Sequence, residues 1–257
     1  MGTADRPLDA SALRDWAHAV VSDLILHIDE INRLNVFPVA DSDTGVNMLF
    51  TMRAAVVEAD LHANSQADAE DVARVAAALA AGALNGARGN SGVILSQILR
   101  GIAEVTATAA AASGAVLRAV DANALGAALW RGVELVVASM GGVEVPGTIV
   151  SVLRAAAGAV DQCAHEGLAG AVTAAGDAAV IALEKTPEQL DVLADAGAVD
   201  AGGRGLLVLL DALRSTICGQ APAPGGLRNP RRARLPTDTA TQRPRPAIRG
   251  DVSVGGM

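Results

Sequence analysis

Apolar side chains return every third or fourth residue through most of this 257-residue chain, a period that suits a helix and not a pleated strand. Leu13, Trp16, Val20, Leu24, Ile28 and Ile31 form the first stripe, which Asn32 and Asn35 end and Pro38 prevents from continuing. The pattern predicts a second helix from about Thr44 carrying Met48, Phe50, Met52, Val56 and Val57. Beyond the polar stretch 62–68 it predicts a third over residues 68–84, with Val72, Val75 and Leu79 on one face. Val93, Ile94, Ile98 and Ile102 resume the period in a fourth helix. A fifth, capped by Asp121, carries Leu125, Leu129, Val133 and Val136 and stops at Gly141-Gly142, residues suited to a helix end. A sixth opens at Pro146-Gly147-Thr148 and a seventh spans residues 168–183. Thr186-Pro187-Glu188-Gln189 has the form of a helix start with Thr186 as N-cap, and a last helix covers residues 205–217.

Hydrophobic residues make up 51% of the chain but aromatics only 2%, with no tyrosine, so small aliphatic side chains must fill the interior. That favours closely approaching helices over a sheet. Eight or nine helices with short connections make sequential neighbours antiparallel, which gives an all-α up-and-down bundle or closed barrel. Residues 219–257 hold seven arginines, two aspartates and six of the ten prolines, whereas the preceding chain is strongly acidic. The expected organisation is a folded domain over residues 8–218 and a disordered Pro/Arg-rich tail over 219–257. The acidic body argues against a nucleic-acid surface. The longest uncharged runs near the middle, such as 105–117, are shorter than the ~20 residues of a membrane span, and the N-terminus has no signal-like apolar run. Cys163 and Cys218, far apart on apolar stretches, suit buried thiols in a reducing cytoplasm.

The stretch 34–48, LNVFPVADSDTGVNM, places Asp41 and Asp43 in a turn that opens into Thr44-Gly45 and a helix. Two carboxylates suit Mg²⁺, which leaves part of its coordination to water and phosphate oxygens, and helix-start amides suit a phosphate. The same residues also suit an Asx-type turn that only caps a helix. Glycine turns before helix starts recur at 86–92, 141–148 and 200–205. In an antiparallel bundle, alternate helix starts share one end, so these turns can converge on one ligand. In the second turn, Asn90 or Ser91 is a natural N-cap, and its glycines allow close backbone approach.

Other chemistries are excluded. The one lysine, Lys185, follows no glycine run, so there is no P-loop. Gly45 and Met52 stand where an EF-hand needs oxygen ligands. No glycine turn follows a strand pattern, as a dinucleotide fingerprint requires. His18, His27, His62 and His165 lack metal-ligand spacing, and no Ser-His-Asp or Cys-His arrangement emerges.

Taken in order, LNVFPVADSDTGVNM, GARGNSGVILSQILRG, VPGTIVSVLRAAA and TPEQLDVLADAGAVDAGGRGLLVLLDAL resemble the nucleotide-binding domain shared by the dihydroxyacetone kinase L subunit and the ATP-binding subunit of bacterial fatty acid kinase. The resemblance is closest to the fatty acid kinase branch and covers about residues 10–216. It implies an eight-helix antiparallel barrel with Mg²⁺ and ATP or ADP at one end, transferring the γ-phosphoryl to a substrate presented by a partner protein that binds a fatty acid or dihydroxyacetone. On matching positions, Asp41 and Asp43 would hold magnesium, two ions in all, with Asn35 a candidate further ligand. Thr44, Gly45 and Asn47 would line the phosphates, as would Asn90, Ser91 and Gly92. Thr148 and Ile149 would sit near the nucleotide, and the stretch from Asp200 through Gly202 and Gly203 would close the site. Ala40, Ser42 and Val46 depart from the proline, glycine and threonine usual there. Serine fits at 42 if φ is negative and strains the turn otherwise. The reading is thus an ATP-dependent phosphotransferase acting on a fatty acid carboxylate. The alternatives are a dihydroxyacetone kinase L-type subunit and a non-catalytic nucleotide sensor.

Overall fold

The structure is a computed structural model and describes residues 5–62 and 70–219. The predicted tail, apart from Gly219, and most of the polar stretch 62–68 lie outside the described residues. After a two-residue strand β1 (Leu8–Asp9), the chain forms α1 (Ala10–Leu34), α2 (Thr44–His62), α3 (Val72–Asn85) and α4 (Gly89–Ser113). A second short strand, β2 (Ala119–Val120), leads into α5 (Ala122–Ser139), α6 (Ile149–Cys163) and α7 (Gly167–Glu184). Two short helices, α8 (Thr186–Gln189) and α9 (Asp191–Ala196), precede α10 (Ala201–Cys218).

Among the described residues, eight of these helices are long. Each packs on the next in sequence, and α10 packs on both α7 and α1, which closes the ring. This is the antiparallel up-and-down barrel that the helical period implies. Its first stripe holds: Leu13, Trp16, Val20, Leu24 and Ile31 are buried, with Ile28 half-buried. Trp16 Nε1 donates to the Leu209 carbonyl oxygen at 3.0 Å, tying the first helix to the last through the core. Residues 203–210 of α10 are all buried, because α10 also reaches α6 and α2 across the barrel. Close approach explains the scarcity of aromatics. A Cβ on Gly101 of α4 would lie 2.6 Å from the Gly132 nitrogen of α5, so no larger residue fits at that crossing.

Several boundaries differ from the sequence reading. Helix α3 starts at Val72, because the Asp71 side chain accepts from Ala73 N at 3.0 Å. Helix α4 starts one residue before Asn90: Gly89 adopts φ +54° and turns the chain into the helix, so Asn90 and Ser91 sit inside the first turn and do not cap it. Thr186 is not an N-cap either; its hydroxyl donates to the Leu183 carbonyl oxygen at 2.7 Å and accepts from Asp200 N at 3.1 Å. Helix α10 begins at Ala201, earlier than the predicted 205, because Asp200 caps it. Phe50 and Val57, counted among the apolar positions of α2, are exposed, while Leu49 is buried. The pair β1–β2 is antiparallel, with Leu8 opposite Val120, and the periodicity gave no sign of it.

By length and mean hydropathy (1.3), α4 and the stretch Ile149–Glu184 match a membrane span, which the length of uncharged runs does not reveal. In the barrel both are staves. Ile149–Glu184 doubles back through a 3₁₀ turn, Ala164–Glu166, and Gly167 at φ +82°, so α6 and α7 pack on each other.

The two ends of the barrel are chemically different. At one end, α1, α3 and α5 begin with aspartate caps: Asp9 on Ala12 N (2.7 Å), Asp71 on Ala73 N, and Asp121 on Ala124 N (2.8 Å). The strand pair and a 3.0 Å bond from Val72 N to the Leu117 carbonyl oxygen stitch that end together. The starts of α2, α4, α6 and α10 share the opposite end.

Candidate functional site

Four glycine-bearing turns meet at this second end and enclose a cleft of about 370 Å³. Phe37, Pro38 and Thr44 line one side; Asn90, Ser91, Val93 and Ile94 line the second; Ser139, Met140 and Val145 line the third; and Thr148, Ile149, Asp200 and Gly202 complete it. Seven of the residues anticipated from sequence therefore face one space: Thr44, Asn90, Ser91, Thr148, Ile149, Asp200 and Gly202. Ser91 Oγ donates to Thr44 Oγ1 at 3.4 Å, joining the starts of α2 and α4. Helices α4 and α6 have no side-chain cap of their own, whereas the three helix starts at the other end that carry aspartate are capped.

Four anticipated residues lie behind the cleft wall. Gly45 N donates to Asn32 Oδ1 at 2.8 Å, so its amide is already engaged. Asn47 is buried against Gly89, whose missing Cβ leaves room for the Asn47 amide. Gly92 N donates to the Arg88 carbonyl oxygen at 2.9 Å, and the residue packs against Thr51. Gly203 N donates to Asp200 Oδ2 at 2.6 Å and packs on Val152 and Leu183.

The loop 35–43 is bracketed by cleft residues Phe37, Pro38 and Thr44, and its Phe37–Pro38 peptide bond is cis. Asp41 is exposed and Asp43 half-buried, and neither has an arginine or lysine in ion-pair range among the described residues. Asn35, buried, donates its Nδ2 to Asp41 Oδ1 at 2.6 Å. Two uncompensated carboxylates two residues apart offer the hard oxygen donors that a divalent cation takes. Among the described residues no cluster of three or more His, Cys, Asp or Glu forms, so these carboxylates would hold a cation only with oxygens from elsewhere. Ser42 between them has φ +56°, the conformation in which a side chain strains the turn.

Asp200 clasps two helix starts. Its carboxylate accepts from Gly203 N of α10 and from Ile149 N of α6, and Thr186 holds its own backbone N–H. Burial pushes its carboxyl up to about 6, against the pull of those two amides. The loop between α5 and α6 has its own fastening. Gly141, Gly142 and Gly147 all have positive φ, and Glu144 pairs with Arg154 through bonds of 3.1 and 2.6 Å.

Asn32, Thr51, Thr186 and Arg204 also matter to the site, and the sequence reading assigned none of them to it. Asn32 Oδ1 accepts from both Gly45 N and Val46 N (3.3 Å), capping α2 from the end of α1. Its position before the aspartate loop was the available signal, but its only assigned role was to end α1. Thr51 Oγ1 accepts from Arg88 N at 3.3 Å and so steadies the turn into α4. Nothing in the local pattern marks Thr51 or Arg204, and the pattern around Thr186 marks only a helix start.

The DAK2 domain matches residues 38–215. The chain belongs to the DAK2 domain family. Protein YloV of Bacillus subtilis is 36% identical over 218 residues, which cover 84% of this chain and 37% of YloV. An uncharacterized protein of Staphylococcus saprophyticus is also 36% identical, over 76% of this chain and 34% of its own length. One from Staphylococcus aureus strain USA300 is 33% identical, with shares of 75% and 33%. The chain thus spans about a third of the length of these relatives. The crystal structure of the dihydroxyacetone kinase of C. freundii superposes with a TM-score of 0.56 at 21% identity, over 84% of this chain and 36% of that one. It shares the all-α barrel with this DAK2 domain. The family resemblance and the fold class read from the sequence both hold.

Proposed function

We propose that this DAK2 domain, over residues 8–218, binds ATP or ADP with Mg²⁺ in the cleft and passes the γ-phosphoryl to an acceptor presented by a partner protein. Thr44, Asn90 and Ser91 supply hydroxyl and amide groups for the phosphates, and Thr148, Ile149 and Gly202 line the nucleotide. Asp41 and Asp43, with Asn35 beside them, would hold Mg²⁺. The ion supplies charge neutralisation across the phosphate oxygens. Gly45, Asn47, Gly92 and Gly203 support these groups from behind.

One observation carries the choice of acceptor. Among the described residues, Asp200 is the only ionisable one lining the cleft, and its carboxylate is engaged by two backbone amides. The cleft therefore offers no free general base. A fatty acid carboxylate needs none, since it is already ionised near neutral pH, whereas a triose hydroxyl must lose a proton. In the balanced step, the bond from the γ-phosphorus to the β,γ-bridging oxygen breaks. A carboxylate oxygen bonds to that phosphorus, and ADP leaves with the electron pair. Val39 and Val143 stand 62% and 64% exposed on the two loops flanking the cleft, an apolar rim suited to a docked carrier. A cytoplasmic location follows from the need for ATP.

Phosphoryl transfer from Mg-ATP is tested with a fatty-acid-binding carrier and with a dihydroxyacetone-binding subunit. Acyl phosphate formed with the first, and no turnover with the second, is expected. Turnover with the second alone would move the chain to the triose branch. Ser42 in a strained conformation favours a second reading, a nucleotide sensor, and tight Mg-ATP binding without turnover on either carrier would establish it.

A further inference from the structure

Arg204 is a buried cation with no role in the reading above. It stands in the first turn of α10, four residues after Asp200, and is 8% exposed. Its Nε donates to Glu30 Oε1 at 2.9 Å and its Nη2 to Glu30 Oε2 at 3.0 Å, while His27 Nδ1 lies 3.1 Å from Nη2. His27 also sits 3.0 Å from Glu30 Oε2. Two parallel bonds between planar groups fix orientation as well as distance. Burial alone would raise the Glu30 carboxyl, but the bonds and charges of Arg204 and His27 outweigh it and leave it below its ordinary value.

This buckle joins residues 174 apart in sequence, on the first and last helices of the barrel. Both sides lead to the cleft. On α10, the turn holding Arg204 also carries Asp200 and Gly202, which form one wall. On α1, Glu30 lies in the last turns, just before Asn32, which caps α2 through Gly45 and Val46, and Asn35, which bonds Asp41. Gly45 is pressed against the same helix: a Cβ there would lie 2.8 Å from the Ile28 carbonyl oxygen. A displacement of α1 at Glu30 would therefore carry the acidic loop with it. A lock serving stability alone would work anywhere along the 25-residue α1, yet this one sits at the cleft end.

We propose that Arg204 is a positioning residue: through Glu30 it sets the separation between the Asp200–Gly202 wall and the Asp41–Asp43 loop. The loop's part in nucleotide binding rests on the function proposed above; the coupling of wall to loop does not.

Amide exchange in the full chain reads that coupling without any ligand. In Arg204→Met, exchange at Gly45 and Val46 is expected to accelerate at least tenfold, while Ala12, Ala73 and Ala124, capped at the opposite end, keep wild-type rates. Titration with Mg-ADP is expected to show at least a tenfold loss of affinity. Arg204→Lys keeps the charge and loses the fork, so it should fall between the two on both readouts. If Arg204→Met does not fold, the lysine variant decides by the same criteria. Unchanged exchange at residues 45 and 46, or equal acceleration at both ends, overturns the proposal. So does faster exchange with wild-type Mg-ADP affinity, which leaves Arg204 a lock on the barrel seam. A wild-type protein that does not bind Mg-ADP overturns the nucleotide reading alone, because the exchange data still decide the coupling.

Discussion

The two ends of the barrel are built from the same kind of helix starts, but aspartate caps three of the four at one end and only the start of α10 at the other. At one end Asp9, Asp71 and Asp121 each satisfy a backbone amide one turn into their helix, and a strand pair seals the gap between α1 and α5. At the other end α4 and α6 start with no cap of their own, and α2 borrows its cap from Asn32. Of the aspartates there, Asp41 and Asp43 have no cationic partner among the described residues, and Asp200 caps α10 from a buried position beside the start of α6. Capping stabilises by about 1 kcal/mol per helix, so leaving starts open costs stability and leaves donors available to a ligand. The first end holds the barrel together, and under the proposed function the second would receive an anion and its cation.

The largest expected break in this comparison is at Asp200. Its carboxyl is raised to about 6, so its contribution to stability is fully present below 3.8 and is lost as pH rises through about 6. A shift of roughly two units corresponds to about 3 kcal/mol. Part of that loss is complete by pH 5, so urea unfolding at pH 5 and pH 8 should show wild type losing about 1 kcal/mol more stability than Asp200→Asn, and parallel pH profiles would refute the burial-raised carboxyl.

The closed end gives a smaller effect. Asp9→Ala, Asp71→Ala and Asp121→Ala should each lower unfolding free energy by ~1 kcal/mol and leave Mg-ADP affinity within about twofold. A loss of affinity from any of the three would erase the distinction between the ends.

The smallest effect is at Ser42. Glycine adopts φ +56° freely, so Ser42→Gly should stabilise by ~0.5 kcal/mol after allowing for the more flexible unfolded chain. A destabilised variant would show that the serine side chain makes a compensating contact.

Much of this architecture was legible in the sequence because helical period and turn glycines are local signals. The stripe from Leu13 to Ile31, the termination at Gly141-Gly142 and the antiparallel order all followed from spacing. Parity made a shared end for the four glycine turns possible without fixing it, and the observed helix bounds bring the turns to one cleft. Contacts between distant residues were not legible. Nothing near Arg204 announces Glu30, and nothing near Thr186 announces that its hydroxyl holds Asp200 N. Local rules also misled where a residue had a stronger partner elsewhere. Thr186 looked like a cap because Pro187 followed it, yet its hydroxyl bonds Leu183 and Asp200. Gly45 looked like a phosphate donor, but Asn32 holds its amide. At Ser42 the sequence posed the question of φ, and the fold answered it with a positive value.

In the proposed function the open end binds a nucleotide through a cation held by Asp41 and Asp43. Calorimetric titration of ADP into wild type and Asp41→Asn, with and without Mg²⁺, tests it most directly. Mg²⁺-dependent binding to wild type is expected, at least tenfold weaker in Asp41→Asn, with the melting temperature unchanged because Asp41 is exposed. Equal affinity for the two proteins, or binding indifferent to Mg²⁺, would contradict it and leave Asp41 and Asp43 as turn residues alone.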